Sequence, residues 1–367
     1  MRRTSGTILL WAGLAGCTGD KAETTPPPTD TADTETTTDT GTTPDTDTAA
    51  PDEATPSCTN GEWRAALIDA DGQVLDLTET LNAGTPESLV DLILIEPGTL
   101  YLCAGQWYIS LDIQADITII GEGIGATILD AAGRGRLIRA DDVALSISGL
   151  SLVDAYADRE NGGALHATNT ILSITDTAFI DNAAYDNGGA LYLVDSALIA
   201  SGLHFTSNQA NSGGHMYLSG GSAAIDGSQF TTGTAGNMGA AVAAEGALVL
   251  ITDSVLSGNF SNLVGGAFGL QDSTVDLRRC DLTNNSADDY GGIAYITEDS
   301  TLTLTESTTE DNDAGYGGGG VYGDSGTVVS QKSTWDDAVI HLENQDIGSY
   351  YIATGTISFT CSLTGCQ

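Results

Sequence analysis

From about residue 58 onward, apolar positions fall in short alternating runs, and no stretch keeps a helical period. Ile93, Ile95, Tyr101, Ile109, Ile113, Ile117, Ile119, Ile128, Leu145 and Ile147 sit in such runs. Glycine-rich turns such as Gly121-Glu122-Gly123 and Gly133-Arg134-Gly135 separate them. The pattern predicts an all-β region of many brief strands.

An internal repeat specifies the architecture. Glycine doublets recur at Gly162-Gly163, Gly188-Gly189, Gly213-Gly214, Gly265-Gly266 and Gly291-Gly292, with Met238-Gly239 in the missing place and Gly317–Gly320 last. The intervals of 25 to 27 residues lie in the solenoid range. A second mark keeps the same period: Phe179-Ile180-Asp181-Asn182, Phe205 with Asn208, Leu256 with Asn259, Leu282 with Asn285, and Thr309 with Asn312. At Phe230 the expected asparagine is Gly233. Two marks locked to one period predict a right-handed parallel β-helix over residues 58–367, capped at both ends, with three short strands per rung. Eight to ten rungs at about 4.8 Å give a rod roughly 40–50 Å long.

Files of like residues follow. Leu172, Leu198, Ala223, Val249, Val275 and Leu302 form one inward file; Ile174, Ala200, Ile225, Ile251, Leu277 and Leu304 form another. Asparagine suits a turn because it tolerates left-handed backbone and its amide can bond the next rung. After each doublet, Leu165, Leu191, Met216, Ala241, Phe268, Ala294 and Val321 point inward. Alternation then sends His166, Tyr192, Tyr217, Val242, Gly269, Tyr295 and Tyr322 outward. The tyrosines on this strip suit stacking on sugars or partner proteins, or they form a ladder that stabilises the sheet.

The paired elements Gly162-Gly163-Ala164-Leu165 and Phe179-Ile180-Asp181-Asn182 resemble the repeats of polymorphic outer membrane proteins. Residues 90 to 355 resemble more broadly the right-handed β-helix, or pectate-lyase-like, superfamily, with Ile95-Glu96-Pro97-Gly98-Thr99-Leu100-Tyr101 similar to its first coil. The resemblance implies the fold. For function it implies only a range, because that fold hosts adhesins, scaffolds and polysaccharide enzymes.

The N-terminus changes the picture. Arg2 and Arg3 precede a short apolar stretch, Ile8 to Leu14, too short to span a bilayer as a helix. Leu14-Ala15-Gly16-Cys17 resembles the lipobox of bacterial lipoproteins. The resemblance implies that residues 1–16 are a signal peptide and that Cys17 carries the lipid. By the same resemblance, Thr18 favours passage to the outer membrane. Residues 17–57, rich in Thr, Asp and Pro, read as a disordered tether. Export permits disulfides, and the expected pairs are Cys58 with Cys103 and Cys361 with Cys366, although sequence leaves connectivity open.

The net charge is −39, from 50 acidic and 11 basic residues. Too few cations remain for nucleic acid, or for adsorption to anionic membrane by charge alone. Asp186, Asp288, Asp289 and Asp313 are turn carboxylates that could take Ca²⁺, but they lack calcium-roll spacing, so no cofactor is expected. The file Asp176, Gly202, Gly227, Asp253, Arg279 and Glu306 offers Asp253, Arg279 and Glu306 as lyase-like candidates, against a plain salt-bridge ladder. Cys280 reads as a buried filler, and His204, His215 and His341 share no file. The expectation is a lipid-anchored, cell-surface β-helix for adhesion or recognition of carbohydrate or protein, more consistent with binding than with catalysis. The alternatives are a polysaccharide lyase or hydrolase and a structural envelope protein.

Overall fold

The computed structural model describes residues 7–9, 58, 63–342, 349–362 and 365–367. Cys17 and the tether lie outside the described residues, as does the leader apart from Thr7–Leu9, whose backbone runs parallel to Asp91–Ile93. The chain forms a parallel β-solenoid of about nine turns. Successive coils pair in parallel, as Leu165↔Leu191↔Met216 and Ala144↔Ile171↔Ala197 illustrate. From the coil at Tyr156 onward each turn has four strand segments, one more than expected. A typical coil runs through Leu165–Thr168, then Ile171–Ile180, which bends at Asp176 and serves two stacks, then Ala183–Ala184. The short fourth segments make a separate seven-stranded sheet. Five of the seven are only two residues long, too brief for an alternation signal to stand out in the sequence.

Both inward files align as the repeat predicts. A single rung cannot bury its own apolar face, so stacking supplies the core. Phe179, Phe205 and Phe230 lie fully buried, with ring centroids 4.9 and 4.8 Å apart, matching the strand spacing. Leu256 and Leu282 continue this file.

Beside it runs the asparagine ladder. Asn182, Asn259 and Asn285 each donate from the backbone N–H and from Nδ2 to the Oδ1 of the asparagine one coil on. Nδ2 also donates to the carbonyl of Leu152, Phe230 and Leu256 respectively. The left-handed residue is the one before the asparagine, at Asp181, Ser207, Gly258, Asn284 and Asp311, with Thr232 in the same place before Gly233, and not the asparagine itself. The amide is retained for its bonding capacity, while the strained φ falls on a neighbour.

The gap at Gly233 has an occupant. His215 is fully buried and stands in the ladder, its Nδ1 3.0 Å from Asn208 Nδ2 and its Nε2 3.1 Å from Asn259 Oδ1. An amide nitrogen only donates and an amide oxygen only accepts, so Nδ1 is bare and Nε2 carries the proton. Burial holds this neutral imidazole down to a pKa of about 3. A Cβ at Gly233 would lie 2.7 Å from His215 Nε2, so the glycine and the histidine are one substitution in two places. His215 therefore shares the asparagine file, and His341, paired with Tyr322, extends the tyrosine file; both belong to files that the sequence did not assign.

Glycine doublets are required twice over. The first glycine takes φ near +65°, as at Gly162 and Gly188, and a Cβ on the second, as at Gly163, would strike the Gly189 carbonyl of the next coil. In the coil after Gly213 the register shifts between Ala210 and Ser212 because the facing segment Thr234–Met238 holds an extra residue. Gly239 therefore aligns with Gly213, and Met238 with Ser212. One residue of slip exchanges the two faces. Val242 is consequently buried, in register with Met216 and Phe268, and Ala243 takes the outward place assigned to Val242.

Both ends are capped. Ala65–Asp69 pairs antiparallel with Gly98–Leu102, and the short helix Thr78–Leu81 covers the opening with Leu77 and Leu81. At the far end Thr327–Leu342 and Ser349–Ser362 form an antiparallel pair. Disulfides join Cys58 to Cys103 and Cys361 to Cys366, one at each cap. Cys280 is buried, with Sγ directed at the carbonyls of Ile251 and Arg278, in a file where Ser228, Ser254 and Ser307 make the same local bond.

Candidate functional site

The strip from the first strand of each coil is continuous: Asp112, Arg139, His166, Tyr192, Tyr217, Ala243, Gly269, Tyr295, Tyr322 and His341 lie in one register file. The tyrosines are less open than alternation suggests. Tyr217 is 8 % and Tyr322 7 % exposed, whereas His166, Tyr192 and Tyr295 are half-buried. The physical reason is lateral contact. Tyr192 stacks on Tyr217 at 5.5 Å, His166 meets Tyr192 edge-on at 5.0 Å, and Tyr290 leans from the adjoining wall onto Tyr322 at 4.3 Å. Tyr217 donates to Glu245 at 3.0 Å, and burial together with that carboxylate raises its phenol well above the ordinary range. Most of the file is thus a stabilising ladder, open mainly at its N-terminal end, where the Arg139 side chain is 58 % exposed.

The N-terminal end opens into a groove of about 870 Å³. Its floor is formed by Val90–Leu94, Ile109–Ile113 and Ile138–Asp141, which bury Leu92, Leu111 and Ile138 and present Asp91, Ser110, Asp112 and Arg139. One wall is the segment around Ser88; the other is the turn from Tyr156 to Glu160; the loop Gly133–Arg136 closes an end. Three of the chain's 11 cations, Arg134, Arg136 and Arg139, gather here. Arg136 is a strut: its side chain is only 13 % exposed and donates to Gly162 O, Asn161 O and Glu160 Oε2. Arg139 pairs with Asp141 but is 58 % exposed, and Arg134, also exposed, donates from Nε to Pro86 O.

These cations act on the neighbouring histidine. Burial first, and then the charges of Arg136 and Arg139, push His166 down to about 4, so it is uncharged at neutral pH. Asp91 shifts the other way: burial alone raises its carboxyl above the usual range. Asp91 lies opposite Ser110, two positions from the residue opposite Asp112. Strand spacing and rise then put the two aspartate Cα atoms roughly 8 Å apart.

The groove was legible in one signal that the repeat overshadowed. Gly133-Arg134-Gly135-Arg136-Leu137-Ile138-Arg139 concentrates three arginines in a chain otherwise nearly without cations. Asp91 and Asp112, far apart among many aspartates, carried no mark of their own.

The lyase-like trio is an exposed turn. Asp253, Arg279 and Glu306 all have φ near +50°. Arg279 makes a two-pronged bridge to Asp253, whose carboxyl it holds below the usual range, and Glu306 lies 3.5 Å from Lys332 Nζ. Exposed pairs contribute little. Arg279→Ala should move the unfolding midpoint by no more than about a degree or two, checked by thermal denaturation. Among the described residues no three His, Cys, Asp or Glu side chains gather to hold a metal; Asp186, Asp288 and Asp289 lie in bends, whereas Asp313, expected in a turn, opens the strand segment Asp313–Ala314. No helix among them is long and apolar enough to cross a membrane. Comparison with family models, with curated proteins and with solved structures found no match to this chain.

Proposed function

We propose that the protein is a carbohydrate-recognition protein that binds saccharide in the arginine-lined groove, displayed at the cell surface through a lipid on Cys17. One observation carries this reading: the groove sets donor-only groups, Arg134 and Arg139, beside acceptor-only groups, Asp91 and Asp112, with the ring of Tyr156 40 % exposed on its wall. Sugar hydroxyls both donate and accept, and the apolar face of a pyranose stacks on an aromatic ring. A volume of this size suits a short oligosaccharide. The lipobox, the tether and the likeness of the repeats to those of outer membrane surface proteins support display outside the cell.

The test is a glycan array probed with the full chain, followed by titration of each hit. Arg139→Ala should weaken binding roughly tenfold or more, the loss expected for a charge-assisted hydrogen bond. No hit above background, or hits undiminished in the Arg134→Ala/Arg139→Ala double variant, would refute the reading.

The half-buried Asp91 beside Asp112 favours one second reading, glycoside hydrolysis. Partial burial raises the Asp91 carboxyl above its usual range, the direction that suits the acid of an acid–base pair in which a second carboxylate activates water. In that case the chain releases reducing ends from a bound glycan, and Asp91→Asn abolishes release while binding persists.

A further inference from the structure

The second strand of each coil presents a face that neither the groove nor the tyrosine file uses. Its central outward file runs Ser146, Ser173, Ile199, Ala224, Leu250, Asp276 and Thr303, in register through consecutive coils. One flanking file is Ala144, Ile171, Ala197, Ser222 and Leu248; the other is Ser148, Thr175, Ser201, Asp226 and Thr252. Ile171, Ile199 and Leu248 are 67, 69 and 61 % exposed, the three most exposed aliphatic side chains among the described residues. From Ala144 to Thr252 the one charge in these files is Asp226, although the chain carries a net charge of −39. Ala224 interrupts the central file between Ile199 and Leu250, and all three line a depression of about 250 Å³. Large aliphatic side chains gathered on one open face mark a contact surface.

We infer that this face is the interface of a two-fold homodimer in which two rods lie antiparallel, with Ile199 of each copy seated against the partner's Ala224. Charge selects the occupant. Two copies of so acidic a chain repel over most of their surface, so they approach where charge is sparsest. The pattern of large and small residues is also self-complementary. A two-fold axis along the strands, midway between the coils of Ile199 and Ala224, reverses the order of coils and keeps each position along the strand. Ile199 then opposes Ala224, Leu250 opposes Ser173, and Ile171 meets Leu248. Charges meet hydroxyls: Asp226 faces Ser201, Asp276 faces Ser146, and Arg278 faces Ser148. An axis along the rod would instead set Ile199 on Ile199 and Leu250 on Leu250, and leave Ala224 facing Ala224 across a gap. Each contact of the antiparallel pair occurs twice, as an isologous interface requires.

The area is sufficient. Eight coils, from Thr118 to Thr303, at about 4.8 Å and five residues of strand at about 3.3 Å give roughly 630 Å² per copy, or about 1,250 Å² in the pair. That lies at the lower end of specific interfaces and fits micromolar association.

Sedimentation velocity tests this on the full chain carrying Cys17→Ala, so that no lipid drives association, at about 1–100 µM. A monomer–dimer equilibrium is expected. It strengthens as NaCl rises from about 50 to 500 mM, because screening relieves the repulsion between like net charges. Ile199→Asp abolishes the dimer. Ile199→Ala, which empties the socket, and Ala224→Ile, which sets isoleucine against isoleucine, each weaken it roughly tenfold. The Ile199→Ala/Ala224→Ile double variant exchanges knob and socket and returns the affinity to within about threefold of the native value. Thermal unfolding of each variant confirms that these outward-facing substitutions keep the fold. A monomer at every concentration, a dimer insensitive to Ile199→Asp, or a double variant as weak as the single ones would overturn the inference. Glycan binding enters none of these readings, so their outcome is independent of the groove.

Discussion

His215→Ala lowers stability by about 3–5 kcal/mol at pH 8, and the cost shrinks as the pH falls. The neutral-pH loss has two parts. Removing the imidazole leaves a cavity in a close-packed interior. It also strips the amide of Asn208 of its 3.0 Å partner and Asn259 Oδ1 of one donor, each a buried polar group whose desolvation then goes partly unmet. The pH dependence follows from the depressed titration. The folded imidazole protonates near 3 and the unfolded one near 6.5, so between those values the unfolded chain binds the extra proton. The histidine's contribution is complete above about pH 6.5 and is lost as pH falls toward 3. At pH 4 the native protein has given up most of it, and the variant, with no proton to take, has nothing further to lose there. Urea unfolding midpoints of both proteins between pH 4 and 8 should converge on the acid side. A gap that stays constant with pH would show that the buried ring is not held neutral. Gly233→Asn, the consensus residue, is equally harmful alone because its Cβ would meet both the imidazole and Ala240 O, the latter at 2.5 Å. The His215→Ala/Gly233→Asn double variant recovers only part of the loss, since Ala240 O still stands in the way.

This pair also shows how far the sequence can be read. The doublet-and-asparagine repeat predicted the coil, its period and both inward files, because those features reflect a requirement repeated at every level of the stack. A departure from the repeat reads as noise until its partner is known. His215 stands where alanine follows the doublet at Ala164, Ala190 and Ala267, and Gly233 replaces the asparagine. Eighteen residues of chain hide the fact that the two side chains would occupy one place. The slip at Val242 has the same origin. An extra residue in Thr234–Met238 is absorbed in a short segment that leaves no periodic trace, and Met238-Gly239 looked an adequate doublet. The burial of the tyrosine file was least legible. It is decided by neighbours from other coils: Tyr217 bonds Glu245, and Tyr290 leans on Tyr322.

Phe205→Ala should destabilise the rod by about 3–5 kcal/mol, more than the same change at Phe179, and the comparison isolates what stacking contributes beyond burial. All three phenylalanines are fully buried, so the loss of transferred area and the new cavity are similar at each. Their aromatic neighbours differ. Phe205 lies between Phe179 and Phe230 at 4.9 and 4.8 Å and is also 5.6 Å from the His215 ring, whereas Phe179 has a phenylalanine on one side and Leu152 on the other. Each aromatic contact adds about 0.5–1.5 kcal/mol, so Phe205→Ala should exceed Phe179→Ala by at least one such contact. Phe205→Leu provides the control, because leucine already fills this position at Leu256 and Leu282, and it should cost no more than about 1–2 kcal/mol. Position in the rod sharpens the contrast. A solenoid's stability is a sum over coils and the interfaces between them, so a weak interface in the middle divides it into two separately unfolding parts. Urea unfolding of Phe205→Ala should therefore show a broader transition with a reduced slope as well as a lower midpoint, whereas equal midpoints and slopes for Phe179→Ala and Phe205→Ala would mean that the rings act as independent fillers.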